Sequence, residues 1–421
     1  MKKLLILAAL FTSVAFYSCS EDSTTTSTTV DSSNFPDSTT TYYLSDFSEY
    51  EMPTEFDTWI IGDAEADVED FEGLSAALAT LGWDEDNART ISLVFSEMVD
   101  FPDYAMLGLD YMYYDDDDEE YYEYDVTFDA EYNINVVVSI SAPKAETIGK
   151  YAFVKGLNLT TLDFPNVVSI GHMAFLYASS ITSLSSTQFP NVESVGTRAF
   201  YLCGGLESVD FPKVTALYAG AFESCQALTS VAVDAATFVG DSAFAGCSAL
   251  TSLSLPEANE VGYATFTGCT QLSELLLPKV ETVGKWAFYG CQALSAIDLS
   301  SATKIGEQAF YLNVGLLSLE LPVADSIGSG AFYSCSYLAD LLLPMATIIA
   351  TDAFRNCASL STLTLATGSV LTQIDVNAFY ETATESISLI LGSGNDSYVD
   401  GQTLTVGDFS QTFASISAAR G

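Results

Sequence analysis

The sequence predicts an α/β solenoid of about eleven 22-residue units, with a small α+β cap at its N-terminal end. Three observations lead there. The first is a recurring phenylalanine, usually preceded by alanine: Phe153, Phe175, Phe200, Phe222, Phe244, Phe266, Phe288, Phe310, Phe332, Phe354 and Phe379. The spacing is 22 residues except for two steps of 25. The second is the pattern Leu-x-x-Leu-x-Leu-Pro, as at Leu272-Leu275-Leu277-Pro278, Leu316-Leu319-Leu321-Pro322 and Leu338-Leu341-Leu343-Pro344. The third is size. A unit this small cannot bury its own apolar residues, so it must stack on its neighbours.

Within one unit, Leu250 to Gln271, the elements read in order. Leu253 and Leu255 alternate with polar residues, the period of a half-buried strand. Pro256 follows; proline cannot donate to a ladder and so ends the strand. It stands ten residues before the marker phenylalanine in eight of the eleven units. A short apolar step comes next (Val283 and Ile305 in later units), then a glycine such as Gly262, Gly284 or Gly306, suited to a tight turn. Ala-Phe-x-x-Cys-x-x-Leu closes the unit, and reads as one short helical turn leading into the next strand.

The combined motif, Ile/Val-Gly-x-x-Ala-Phe-x-x-Cys-x-x-Leu-x-x-Leu-x-Leu-Pro, runs without a departure from Ile327 through Gly328, Ala331, Phe332, Cys335, Leu338, Leu341 and Leu343 to Pro344. It resembles the BspA-like leucine-rich repeat family of bacterial surface proteins over residues 137 to 391. Tyr218, Ala350 and Asp375 replace the glycine, and Asp234, Ser300 and Ser369 replace the proline. The resemblance implies a right-handed leucine-rich repeat superhelix and points to adhesion or protein binding. It implies no reaction.

Residues 1–18 read as a lipoprotein signal peptide, with Lys2 and Lys3 before an apolar core too short to span a membrane. Phe16-Tyr17-Ser18-Cys19 resembles a bacterial lipobox, which makes Cys19 the acylated residue. Ser20-Glu21-Asp22 resembles the acidic export tag of Bacteroidetes lipoproteins, which directs them to the exterior face of the outer membrane. Residues 19–41, mostly Ser, Thr and Asp, read as a disordered tether because they hold too little apolar surface to order themselves.

The formal net charge is −43, and half of the 56 acidic residues lie between residues 42 and 132. Such a chain repels nucleic-acid phosphates and anionic lipid headgroups, so the membrane is reached through the lipid anchor only. The run Asp115 to Glu120 is contiguous and lacks the spacing of a Ca²⁺ loop. Residues 42–136 read as an acidic capping domain, with a short helix at Phe71–Leu81, a strand at Ile91-Leu93-Phe95 and another from Val126 to Val136. A solenoid needs such caps because an open end exposes core and strand edge. Residues 392–421 read as the cap at the other end.

The inventory for catalysis is poor. His172 is the one histidine and has no nucleophile motif beside it, and the carboxylates show no acid/base pairing tied to the repeat. Seven cysteines, Cys203, Cys225, Cys247, Cys269, Cys291, Cys335 and Cys357, stand three residues after their phenylalanines. They lack the paired short spacing of a zinc site, and Gly156, Ala178, Asn313 and Thr382 fill the same slot elsewhere. They read as small buried thiols. The reading is therefore no enzyme, no metal and no cofactor. Alternation points Asp210, Glu274, Asp298, Glu320 and Asp340 out of the strand face, and these are the candidate ligand-binding residues. The partners expected are extracellular or host proteins. The alternative is capture of glycans for nutrient uptake, with a carbohydrate site among the tyrosines of residues 42–132 and Trp59 or Trp83.

Overall fold

The computed structural model describes residues 39–44, 58–61, 64–66, 90–95, 100–101 and 138–418, apart from 154–155, 157–158, 366–370, 393–398, 401 and 407. The lipobox, the acidic run, Trp83, the expected helix at 71–81 and the expected strand at 126–136 lie outside these residues. The described residues form two compact units. One holds those up to 181 together with 187–191; the other holds 182–186 and everything from 192 onward.

The larger unit is a stack of coils, each contributing two short parallel strands. The Leu-x-Leu segment forms the first, so that Ser252–Ser254, Glu274–Leu276 and Ala296–Asp298 pair in register, Leu253 opposite Leu275 and Leu275 opposite Ile297. Leu253 and Leu275 are buried, as the alternation requires, while Ile297 is half-buried. The apolar step forms the second strand, and Glu260–Val261, Thr282–Val283, Lys304–Ile305, Ser326–Ile327 and Ile348–Ile349 pair as a separate parallel sheet. The marker phenylalanines stack along the core with ring centroids 4.9–5.8 Å apart from Phe200 to Phe379.

The expected helical turn is absent. Thr384–Ser386, a 3-10 turn, is the one helix among the described residues. The reason lies in the backbone on either side of each phenylalanine. Ala264 (φ 53°) and Gly268 (φ 73°) flank Phe266, and Trp286 (φ 60°) and Gly290 (φ 71°) flank Phe288. A left-handed residue on each side prevents the unbroken run that an α-helix needs. The amides alternate instead. Ala264, Phe266 and Gly268 donate to Lys285, Ala287 and Tyr289 of the next coil at 2.8–2.9 Å, while Thr267 and Cys269 donate back to Ala264 and Phe266. No helix is needed to satisfy the buried backbone. The α part of the expected α/β class is therefore corrected: the solenoid is built of strands and turns.

The glycine before this turn has a different role from the one expected. Gly306 is not in the left-handed region; a Cβ there would lie 2.6 Å from the backbone carbon and oxygen of Gly284 in the preceding coil. Close approach of two backbones, rather than turn conformation, selects glycine there.

The seven cysteines are all buried, as are Ala178 and Asn313 in the same slot, whereas Gly156 and Thr382 at its two ends are half-buried. Cys225, Cys247, Cys269, Cys291, Cys335 and Cys357 donate through Sγ to the phenylalanine carbonyl of the preceding coil, Cys247 to Phe222, Cys269 to Phe244 and Cys291 to Phe266 at 3.1 Å. Asn313 interrupts the column. Its Nδ2 donates to the Phe288 oxygen at 2.8 Å, but its fully buried Oδ1 has no partner. An orphaned buried carbonyl is costly. Asn313→Cys keeps a donor to Phe288 and removes the orphan, so it is expected to raise stability by about 1 kcal/mol. An increase in the urea midpoint at unchanged slope would show it; a lower midpoint would refute it.

Beyond Phe379, the strand Ser388–Leu391 pairs parallel with Ser415–Ala418, while Val399–Asp400, Thr403–Val406 and Phe409–Thr412 form an antiparallel meander. Phe409 and Phe413 approach Phe379 at 5.7 and 5.6 Å, closing the aromatic column.

In the smaller unit, Thr39–Leu44, Thr90–Phe95, Val138–Ser141 and Leu159–Asp163 pair in that order, all parallel. Thr58–Ile61 and Ala64–Ala66 add an antiparallel hairpin beyond Thr39–Leu44. Asp100–Phe101 pairs with Thr147–Ile148, and that with Ser169–Ile170. Thr90–Phe95 and Asp100–Phe101 thus supply both strands of a coil, although no Ala-Phe marker accompanies them. Thr39–Leu44 begins inside the segment read as tether.

Candidate functional site

Two surfaces of the larger unit present repeated side chains. The first is the outward side of the Leu-x-Leu strands. Glu274, Glu320 and Asp340 are exposed there; Asp210 and Asp298 are half-buried. The register keeps them apart. Glu274 stands between Ser252 and Ala296, and Asp340 between Ser318 and Thr362. Asp210 pairs with Ala232, Asp298 with Leu276 and Glu320 with Leu342. Asp210 also accepts a hydrogen bond from Ser186 Oγ at 2.5 Å, and Asp298 accepts one from the Ser300 amide at 3.0 Å. The face is a dilute acidic one. Among the described residues, no group of three or more His, Cys, Asp or Glu is placed to hold a metal ion.

The second surface lies on the turn side and was not anticipated. The residue after each marker phenylalanine forms its own column, and in the later coils it is aromatic or arginine. Tyr289 and Tyr311 stack at 4.9 Å with parallel rings, and Tyr311 and Tyr333 at 4.8 Å and 30°. The Arg355 guanidinium lies over Tyr333 at 5.1 Å and over Tyr380 at 4.6 Å. At the other end Trp286 meets Tyr289 edge-on at 6.3 Å and Tyr263 at 5.3 Å, with the Lys285 ammonium 4.8 Å over its ring. Trp286 Nε1 donates to Gln308 Oε1 at 2.6 Å. Lys285 pairs with Glu307 at 2.9 Å, and Arg355 with Glu381 at 3.0 Å and Asp352 at 3.8 Å. Partial burial raises the Tyr311 phenol above its ordinary value, as do Tyr333 and Tyr289, with Arg355 opposing. Its sequence signal was available: Ala-Phe-Tyr recurs at Tyr201, Tyr289, Tyr311, Tyr333 and Tyr380.

This repeat architecture has a match among known families. The BspA type Leucine rich repeat region matches in six copies, over residues 146–273, 237–345 and 325–417, more than half of the chain. The chain belongs to the BspA-type leucine-rich repeat family. Similar solved structures include a leucine-rich repeat protein from Bacteroides ovatus (17% identity, TM-score 0.41, covering 81% of this chain and 100% of that one). A leucine rich cell surface protein from Faecalibacterium prausnitzii has 21% identity and a TM-score of 0.36, covering 65% and 77%. The pneumococcal vaccine antigen PcpA has 16% identity and a TM-score of 0.35, covering 72% and 80%. No curated protein matches the sequence. Leucine-rich repeats are binding repeats whose general role is protein–protein interaction.

Within the BspA-type repeats His172 is an ordinary packed side chain. His172 is half-buried, with Nε2 3.1 Å from the Tyr151 hydroxyl and the two rings edge-on at 5.1 Å. The backbone of Trp59 sits in the strand Thr58–Ile61.

Proposed function

We propose that this BspA-type protein is a lipid-anchored binding protein on the outer face of the outer membrane, which engages extracellular or host proteins through its repeats and catalyses no reaction. Cys19 would carry the acyl chains, and the Ser/Thr-rich segment from there to the strand beginning at Thr39 would lift the repeats off the membrane. The observation that carries the reading is the register of the parallel strands, which sets the outward positions of successive coils in line along one face. Long repetitive surfaces suit protein partners. On the strand face, Asp210, Glu274, Asp298, Glu320 and Asp340 are the contact residues proposed.

Three measurements test this. Protease shaving of intact cells should remove the protein; protection until the outer membrane is broken would overturn the outward orientation. Immobilised extracellular-matrix proteins should retain the chain, and Glu274→Lys with Glu320→Lys and Asp340→Lys should abolish retention. Glycan-array binding that requires residues 42–136, with no protein binding, would overturn the protein-partner reading in favour of glycan capture.

A further inference from the structure

We infer that the turn-side row from Trp286 to Tyr380 is a second docking surface, built for a protein partner with a cationic face. The inference rests on the protein-binding reading above but not on the strand-face acids. The row follows the Ala-Phe segments, whereas the acids follow the Leu-x-Leu strands.

The first argument is continuity. Trp286, Tyr289, Tyr311, Tyr333, Arg355 and Tyr380 touch in succession at 6.3, 4.9, 4.8, 5.1 and 4.6 Å, so the row crosses five coils unbroken. Trp, Tyr and Arg are the residues that dominate binding energy in protein interfaces. Tyr and Trp offer large contact area with few rotatable bonds.

The second argument is preorganisation. Stacking fixes the rings, the Gln308 acceptor fixes the indole, and Glu307 and Glu381 fix the two cations. Side chains already held in place lose less freedom when a partner arrives.

The third argument discriminates between ligand classes. A sugar ring stacks flat on an open aromatic face. Here Tyr311 is covered on both faces, by Tyr289 and by Tyr333, and Tyr333 by Tyr311 and Arg355. Rings stacked this way offer their edges and phenol groups, which suit the amides and side chains of a protein. Tyr380, 51% exposed, ends the row.

The fourth argument is charge. Lys285 and Arg355 are already paired, Asp352 adds a further carboxylate, and the whole chain carries −43. The chain as a whole attracts a cationic partner and repels an acidic one, and the row, with two cations against three carboxylates, does not oppose that preference.

The test is selection from a random 12-residue peptide display library on the immobilised full chain. Salt of about 0.3 M would screen long-range attraction. A glycan array is run in parallel. Peptides of net positive charge should be enriched. Tyr311→Ala with Tyr333→Ala should weaken a synthetic selected peptide by about tenfold or more. Tyr311→Phe with Tyr333→Phe keeps the stack and should weaken it less, and Glu274→Gln with Glu320→Gln should leave it unchanged. Thermal melting of each variant confirms folding. A peptide that loses affinity with the strand-face pair but not with the tyrosine pair overturns this inference and leaves the strand-face reading standing. Enrichment of acidic peptides, or a glycan whose binding needs Tyr311 and Tyr333, also overturns it. No enrichment at all overturns it and counts against the protein-binding reading as well.

Discussion

Phe266→Ala is expected to cost about 3–5 kcal/mol of stability, the largest single effect of any side-chain truncation in the repeats. The ring is fully buried between Phe244 and Phe288, 5.7 Å from each and within 6° of parallel to both. Neither neighbour can collapse into the gap, because each is itself held by the next ring in the column. A solenoid has only nearest-neighbour interfaces, and this truncation weakens two of them at once. Urea unfolding followed by circular dichroism measures the loss. The same experiment should also show a broadened or split transition, since the coils on either side become less coupled. A loss under about 1 kcal/mol would mean that the phenylalanine column is not the main source of cohesion.

Stability should also fall steeply on the alkaline side, through the buried thiols. Burial pushes Cys269 and Cys357 up to about 12 and raises Cys225, Cys247, Cys291 and Cys335 well above the ordinary thiol range. Charges on neighbouring cysteines of the column add to the rise at Cys225, Cys247, Cys291 and Cys335. The folded state thus binds the proton more tightly than the unfolded chain, whose thiols titrate near about 8.5. The thiols' contribution is whole below that pH and is lost as the pH rises towards 12. Each thiol removes on the order of 1 kcal/mol per pH unit above about 8.5. Several act together, so unfolding should begin well before 12. Urea unfolding at a series of pH values from neutral to alkaline is the measurement, with Cys247→Ala/Cys269→Ala as the control that should flatten the slope. The folded chain should resist thiol reagents, and denaturation without reductant should expose all seven repeat cysteines. A flat profile above about 8.5, or disulfides in the denatured chain, would contradict the account.

The sequence by itself determined the repeat, its period and its buried positions. Phe222, Phe244, Phe266 and Phe288 had to be inside because each is the largest apolar residue of a unit that cannot bury itself, and Leu253 and Leu275 because strand alternation leaves them nowhere else to point. The cysteine slot was legible for the same reason: residues as different as Gly, Ala, Asn and Thr share only small size. Three features were decided by tertiary contact. The turn after Ala-Phe reads locally as helix, but Ala264, Phe266 and Gly268 find acceptors in the next coil, and only stacking supplies those acceptors. Gly306 reads locally as a turn glycine, but its constraint is the Gly284 backbone 22 residues away. The strands at Thr90–Phe95 and Asp100–Phe101 lack the marker motif, and pairing alone shows that they supply both strands of a coil. The surface divides in the same way. Alternation names Glu274, Glu320 and Asp340 as outward, but which side chains meet depends on which coils are adjacent. That is why Tyr289, Tyr311 and Tyr333, 22 residues apart along the chain, become one row only when the coils bring successive rings within 5 Å of each other.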